Sequence, residues 1–258
     1  MEIKMAIEKH PFLDNYPLKS GLKYLIIGTC PPSLEIRKEK FKIDYYYGNA
    51  GSLWNIISGI YKINLKNKSK EENLAVILKW QKEYSIGIVD TLKEYSRLKP
   101  ESTADADLII EYDGYNHNLK TYILDNNDKI EKILFTSNGN CNSAFSTFKI
   151  IMGDSFNKID PDKLIIALPS PSGSSNTSYF NYNDENTLGI EPNLYNYILN
   201  EKKERIEELQ KRWTIKAEKL TLKGNEKKEI KVPSINGILI DYKIWAYKKH
   251  LPAFIDAM

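Results

Sequence analysis

Four short apolar runs, Tyr24–Ile27, Ile86–Val89, Ile133–Phe135 and Leu164–Leu168, recur along the chain with helix-period stretches between them. Each run is too short for a buried helix and apolar enough for a strand covered on both faces. The intervening stretches carry apolar residues at spacings of three and four. Leu53, Trp54, Ile57, Ile60 and Tyr61 form one such stripe. Glu72–Lys82 carries another, with Leu74, Ile77, Leu78 and Trp80. Tyr115–Lys129 and Ser143–Ile151 read as two further helices. Strands alternating with helices predict an α/β fold: a mainly parallel central sheet with helices on both faces.

Two of the strands end in loops with unusual chemistry. Leu25-Ile26-Ile27 runs into Gly28-Thr29-Cys30-Pro31-Pro32-Ser33, and Leu164–Leu168 runs into Pro169-Ser170-Pro171-Ser172-Gly173-Ser174-Ser175-Asn176. In open α/β sheets, ligands gather outside the carboxyl ends of the strands. The two loops therefore read as two walls of one cleft. Serine and glycine in the second loop let backbone N–H groups come close to phosphate.

Further polar candidates stand at other strand ends. Tyr45-Tyr46-Tyr47-Gly48-Asn49 precedes the helix that begins near Leu53. A tyrosine ring stacks on a planar heterocycle, worth about 1–3 kcal/mol per base. An asparagine donates and accepts along a base edge or positions a water. The plainer reading of the same residues is an aromatic anchor with a helix cap. Asn138, in Thr136-Ser137-Asn138-Gly139-Asn140, is a second amide placed for base contact or simply for a turn. Ser102-Thr103-Ala104-Asp105 follows the Ile86–Val89 strand and offers polar groups near the cleft, as does Asp90.

Composition excludes several classes. The three histidines, His10, His117 and His250, are scattered, and the two cysteines, Cys30 and Cys141, are far apart, so no metal-ligand spacing is present. There is no phosphate-loop, dinucleotide-fold or serine-hydrolase signature. No apolar run approaches the length of a membrane span and no signal peptide is seen, which predicts a cytoplasmic protein with no membrane association. The net charge of +3, from 37 basic and 34 acidic residues, permits nucleic-acid binding without requiring it.

Taken in order, these pieces resemble the uracil-DNA glycosylase superfamily, in particular its mismatch-specific and hypoxanthine-directed branches. Gly28-Thr29-Cys30-Pro31-Pro32 is similar to the family's first motif, and Tyr46-Tyr47-Gly48-Asn49 leading to Leu53-Trp54 is similar to its aromatic segment. Gly87-Ile88-Val89-Asp90, followed by Ser102 to Asp105, resembles the next strand and polar stretch, two residues short. Pro169-Ser170-Pro171-Ser172-Gly173-Ser174 resembles the second motif.

The resemblance implies a three-layer α/β/α sandwich with a short, mainly parallel sheet. It also implies a monofunctional DNA glycosylase that excises a deaminated or mismatched base during base-excision repair. Such an enzyme acts on double-stranded DNA, as a monomer, with no metal or organic cofactor. It flips the target nucleotide into a pocket and hydrolyses the N-glycosidic bond. By the same resemblance, Gly28, Thr29, Tyr46, Tyr47 and Asn138 would hold the base. Ser170, Ser172, Gly173 and Ser174 would hold the DNA backbone. Cys30 stands where many relatives direct the water with Asp or Asn, and Leu168 stands where some carry a histidine. In the hypoxanthine-directed branch an Asn after the tyrosine pair is a candidate for the missing role, which puts Asn49 beside Cys30 as the catalytic pair. The rival reading is a catalytically silent nucleic-acid- or nucleotide-binding protein on the same fold.

The domain expectation is a core over 1–180, an insertion over 181–235 and a closing helix within 236–258. The insertion would comprise a charged helix, Glu201–Trp213, and a hairpin turning at Gly224-Asn225.

Overall fold

The structure, a computed structural model, describes residues 6–49, 52–99, 102–172, 176, 179, 191–208, 211, 214 and 236–255. Its strands are β1 (Glu8–Lys9), β2 (Tyr24–Gly28), β3 (Ile86–Asp90), β4 (Glu94–Arg97), β5 (Leu108–Ile109), β6 (Lys132–Phe135) and β7 (Leu164–Ile165). The helices are α1 (Leu34–Lys40), α2 (Leu53–Tyr61), α3 (Lys70–Tyr84), α4 (Asn118–Asp125), α5 (Ala144–Met152), α6 (Pro192–Glu201) and α7 (Asn236–Lys248).

The chain divides into two compact units, Met1–Pro171 with Ala246–Met258, and Ser172–Trp245. The first unit is an α/β sandwich. Its four-stranded sheet has the order β3-β2-β6-β7 and every neighbouring pair is parallel. β2 is central, with Ile26 opposite Ile88 on one side and Leu134 on the other. Leu25, Ile26 and Ile27 are all fully buried, which is why this run is continuously apolar rather than alternating. Leu25 and Ile27 pack with Val89, Ile133 and Phe135 against Leu119 and Ile123 of α4 and Ala144, Phe148 and Met152 of α5. Side chains alternate across a strand, so Ile26, Ile88 and Leu134, also buried, point to the opposite face.

Local sequence accounts for the helices. α3 opens with a capping box: Ser69 Oγ accepts the Glu72 N–H, and the Glu72 carboxylate accepts the Ser69 N–H. α5 is capped by Ser143, which accepts the Ser146 N–H. α2 buries six of its nine residues. Trp54 of α2 sits edge-on to Trp80 of α3, with centroids 5.9 Å apart.

Three elements differ from the sequence-based expectation. The last strand pairs only over Leu164 and Ile165, opposite Ile133 and Leu134. It lies at the sheet edge, and the chain leaves the ladder before Pro169, which has no N–H to donate. The helix expected over Tyr115–Lys129 is confined to Asn118–Asp125. Tyr115 instead bridges Leu92, and the Asn116 N–H donates to the Thr91 carbonyl. A small antiparallel sheet, β1-β4-β5, was not anticipated, because its strands are two to four residues long and two of them, β1 and β4, carry charges. It grows out of the end of β3: the Thr91 and Leu92 N–H groups donate to the Gly28 and Thr29 carbonyls, and β4 follows at once.

The second unit is a helical cluster. Leu194, Tyr197 and Ile198 of α6 pack with Tyr179 and with Ile238, Leu239 and Tyr242 of α7. α6 begins at Pro192, a residue pre-set for the first helical turn, and Glu191 caps it. It ends at Glu201. Lys202 takes an extended φ of −142° and a single tight turn over Lys203–Arg205 follows. The charged helix expected to start at Glu201 is thus preceded by a less charged one. The hairpin expected over Leu220–Ile230 lies outside the described residues. No helix among the described residues is long and apolar enough to cross a membrane.

Candidate functional site

Sheet topology places the site. β2 leads through α1, α2 and α3 to β3 on one side of it, and the chain then returns past β2 to β6 and β7. The direction of winding reverses between β2 and β6. Connections on either side of such a switch point leave on opposite faces, opening a crevice beyond the carboxyl ends of the two strands.

Asp105 lies over that crevice. It begins a short turn, Asp105–Asp107, in the connection between β4 and β5. Its Oδ2 accepts hydrogen bonds from Ser137 Oγ at 3.0 Å and Thr29 Oγ1 at 3.2 Å. Thr29 is the first residue after β2, and Ser137 is the second after β6. Ser137 Oγ also accepts the Ala144 N–H at 2.9 Å, so the start of α5 fixes the hydroxyl that holds the carboxylate. Both bonds fall on Oδ2, which leaves Oδ1 without a protein donor among the described residues. Burial raises the Asp105 carboxyl to about 6. The Ser137 and Thr29 hydrogen bonds oppose that rise, and the nearby Asp90 adds to it. A carboxyl held near 6 can take a proton and release it at neutral pH.

Asp90 supplies a second carboxylate at the end of β3 and is 4 % exposed. His10 Nε2 lies 2.9 Å from Asp90 Oδ2. His10 Nδ1 accepts the N–H groups of Phe12 and Leu13, at 3.1 and 3.2 Å, so the ring hydrogen sits on Nε2 and is donated to Asp90. Asp90 Oδ1 and the Tyr47 hydroxyl both stand directly over Gly28, where any Cβ would collide with them. Gly28 is therefore the one side-chain-free position that lets a carboxylate and a phenol converge on β2.

Tyr47 reaches this point through a tight loop. Phe41 and Asn49 pair as an isolated bridge, and the Lys42 and Ile43 N–H groups both donate to the Gly48 carbonyl. A Cβ on Gly48 would strike the Ile43 carbonyl and the Phe41 ring. Tyr47 itself adopts a left-handed φ of 55°, a conformation costing about 1 kcal/mol or more for a residue with a side chain. Ser52 Oγ secures the turn with its one hydrogen, within reach of the Tyr47 carbonyl at 2.7 Å and the Asn49 carbonyl at 3.0 Å. The Tyr47 hydroxyl lies 2.8 Å from Thr136 Oγ1, which itself donates to the Ile27 carbonyl at 3.2 Å. Either hydroxyl can donate in the bond between Tyr47 and Thr136. Burial pushes the Tyr47 phenol well above its ordinary range.

The other residues singled out from sequence are distributed unevenly. Cys30 is partly exposed, and its thiol lies 3.6 Å from Arg97 Nη2. Burial pushes that thiol far up and Arg97 only partly opposes the rise, so the sulfur is neutral at pH 7. Arg97 also donates to the Pro31 and Ser102 carbonyls, at 2.7 and 2.9 Å, and pairs with Glu8 at 2.9 Å. It thereby ties the loop after β2 to the segment that leads into Asp105.

Asn49 lies in the same turn as Tyr47, and its Oδ1 is buried with no hydrogen-bond partner among the described residues. Tyr46 is a core ring, 1 % exposed, packed against Tyr45, His10 and Phe12 at 4.9, 5.4 and 5.6 Å. It presents no face for a base to stack on. Asn138 is exposed, and Leu168 is a buried apolar side chain. Ser170 is half-buried and belongs to the first unit. Ser172 is half-buried and belongs to the second, where its carbonyl accepts a hydrogen bond from Lys243. Gly173 and Ser174 lie outside the described residues.

The sequence thus anticipated Gly28, Thr29 and Tyr47 at the strand ends, where they meet. The carboxylates were marked only as polar neighbours, and His10, Arg97, Thr136 and Ser137 gave no signal of their role. The described residues contain no group of three or more His, Cys, Asp or Glu side chains able to hold a metal ion. Comparison with protein families, curated proteins and solved structures gives no match for this chain.

Proposed function

We propose that the protein is a DNA glycosylase, hydrolysing the N-glycosidic bond of a deaminated or mismatched base, with Asp105 activating the water. The observation that carries this reading is the Asp105 carboxylate: raised to about 6, hydrogen-bonded on one oxygen only among the described residues, and lying over the ends of β2 and β6. It supplies the charged group that the first-motif position, occupied by Cys30, does not.

In this mechanism a flipped base enters beside Tyr47, and its N–C1′ bond lengthens with oxocarbenium character at C1′. A negative carboxylate stabilises that positive charge and orients a water toward it. The water oxygen bonds to C1′ as the C1′–N bond breaks. The base leaves with the bonding electrons, and Asp105 Oδ1 takes the water's proton. In this reading Asn49, whose Oδ1 has no hydrogen-bond partner among the described residues, would accept an N–H from the base or hold the water. Cys30 has no charged role.

The test is a single-turnover assay on duplexes carrying uracil, hypoxanthine, xanthine or a G:T mismatch. Abasic sites should form on at least one of them. Asp105→Asn should lower that rate at least 100-fold, the scale of losing a general base. The wild-type rate should rise with pH through about 6 and then level off, as Asp105 loses its proton. Binding with no abasic product on any substrate would leave only the silent nucleic-acid-binding reading.

A further inference from the structure

The first turn of α5 is tied to the carboxyl ends of two strands. The Ala144 N–H donates to Ser137 Oγ at 2.9 Å, and the Phe145 N–H donates to the Ser137 carbonyl at 3.1 Å. Both bonds fix α5 to the segment that leaves β6. Thr147 Oγ1 lies 2.6 Å from Thr91 Oγ1, and both residues are fully buried. Thr91 follows β3 directly, so the same turn is fixed there too.

Ser137 turns this anchored point into an aimed donor. A serine hydroxyl has one hydrogen and two acceptor sites. The Ser137 oxygen takes the Ala144 N–H, and its hydrogen goes to Asp105 Oδ2 at 3.0 Å. Accepting from the positive end of a helix polarises that O–H toward the carboxylate. Thr29 Oγ1 closes a triangle, 3.2 Å from Asp105 Oδ2 and 3.2 Å from Ser137 Oγ.

The charged neighbours of Asp105 act on it through space and are themselves held elsewhere. Asp90, at the end of β3, repels its charge and accepts from His10. Arg97, on β4, attracts it and donates to Glu8 and to the Pro31 and Ser102 carbonyls. The Cys30 thiol and the Tyr47 phenol also face it and are neutral, because burial raises both. Asp107 shares its short turn. The orientation of the carboxylate therefore rests on hydroxyl groups.

We propose that Ser137 is a positioning residue for the reaction: it transmits the anchored start of α5 to Asp105 and holds the carboxylate in the orientation that activates the water. The assignment rests on the glycosylase reading, with Asp105 as the base.

The experiment compares wild type with Ser137→Ala, Ser137→Thr and Ser143→Ala. One readout is the pH profile of single-turnover excision. The other is the NMR titration of the Asp105 carboxyl carbon, assigned by its loss in Asp105→Asn. A hydrogen bond to the ionised form favours that form, so removing it moves the titration up. Ser137→Ala should shift the excision limb and the NMR titration upward from about 6 by about one unit. The plateau rate should fall about tenfold at an unchanged half-saturating concentration, as a misaligned base requires. Ser137→Thr keeps the hydroxyl and should restore both profiles. Ser143→Ala removes the other cap of α5, the acceptor of the Ser146 N–H. It should lower the melting temperature and leave both profiles in place. Ser137→Cys, similar in shape and a weak donor, replaces Ser137→Ala if that variant does not fold. Wild-type profiles in the Ser137 variant, or an equal shift in Ser143→Ala, overturn the assignment. The NMR readout needs no substrate. A shifted titration with no excision on any duplex defeats only the glycosylase reading, and excision with an unshifted titration defeats only the role of Ser137.

Discussion

His10 Nε2 donates to Asp90 Oδ2 across 80 residues of chain, with both side chains removed from solvent. The bond aims the second carboxylate oxygen at Gly28 and joins the N-terminal segment to the end of β3. Truncating His10 leaves Asp90 buried without its donor, a defect that costs about 3 kcal/mol. His10→Ala should therefore lose that much stability in urea unfolding. Adding Asp90→Asn to His10→Ala should recover part of the loss, because an uncharged amide is cheaper to leave unpaired. Equal stability of His10→Ala and wild type would refute the arrangement.

Asp105 makes the opposite contribution. Its carboxyl titrates at about 6 in the folded protein against 3.8 for an unperturbed aspartate, so the folded state binds its proton more tightly than the unfolded state. Stability then falls as pH rises from about 4 to about 6, and the penalty is fully present above 6. The expected result is that Asp105→Asn has a higher melting temperature than wild type at pH 7.5, and that the gap closes near pH 4. A melting-temperature series across that range decides it. A gap that is constant with pH would mean that Asp105 titrates normally.

Gly28 has no room for a side chain. Gly28→Ala must displace either the Asp90 carboxylate or the Tyr47 hydroxyl, at about 1–3 kcal/mol. Thermal unfolding should register the loss, and excision should fall by more than the unfolded fraction explains. A variant as stable and active as wild type would show that neither group is held over β2.

Tyr47 separates stacking from hydrogen bonding. Thr136 keeps its bond to the Ile27 carbonyl when the Tyr47 hydroxyl is removed, so Tyr47→Phe should leave excision within a few-fold of wild type. Tyr47→Ala removes the ring and should weaken binding of a flipped-base duplex by about 1–3 kcal/mol. If Tyr47→Phe is as damaged as Tyr47→Ala, the hydroxyl and not the ring face is what matters.

Several of these residues were legible before the fold. Gly28 and Thr29 announce themselves because an apolar strand breaks abruptly into glycine and proline. Tyr47 and Asn49 stand out because aromatic residues meet Gly48 just before a helical stripe. Tyr46 looked equivalent to Tyr47, yet the left-handed turn at Tyr47 sends neighbouring rings to different places: one into the core, one to the strand ends. The small sheet was invisible because Glu8–Lys9 and Leu108–Ile109 are too short to show a period.

The order of apolar runs and helical stripes was enough to establish an α/β architecture with a parallel sheet, because burial on both faces imposes a local pattern on each strand. Only the tertiary structure decided that Asp105 would meet Thr29 and Ser137, which are 76 and 32 residues away in the chain. That meeting depends on β6 pairing with β2 rather than with β3, and on a β4–β5 turn folding back over the join. Strand order is settled by how whole layers pack, and no short stretch of sequence records it.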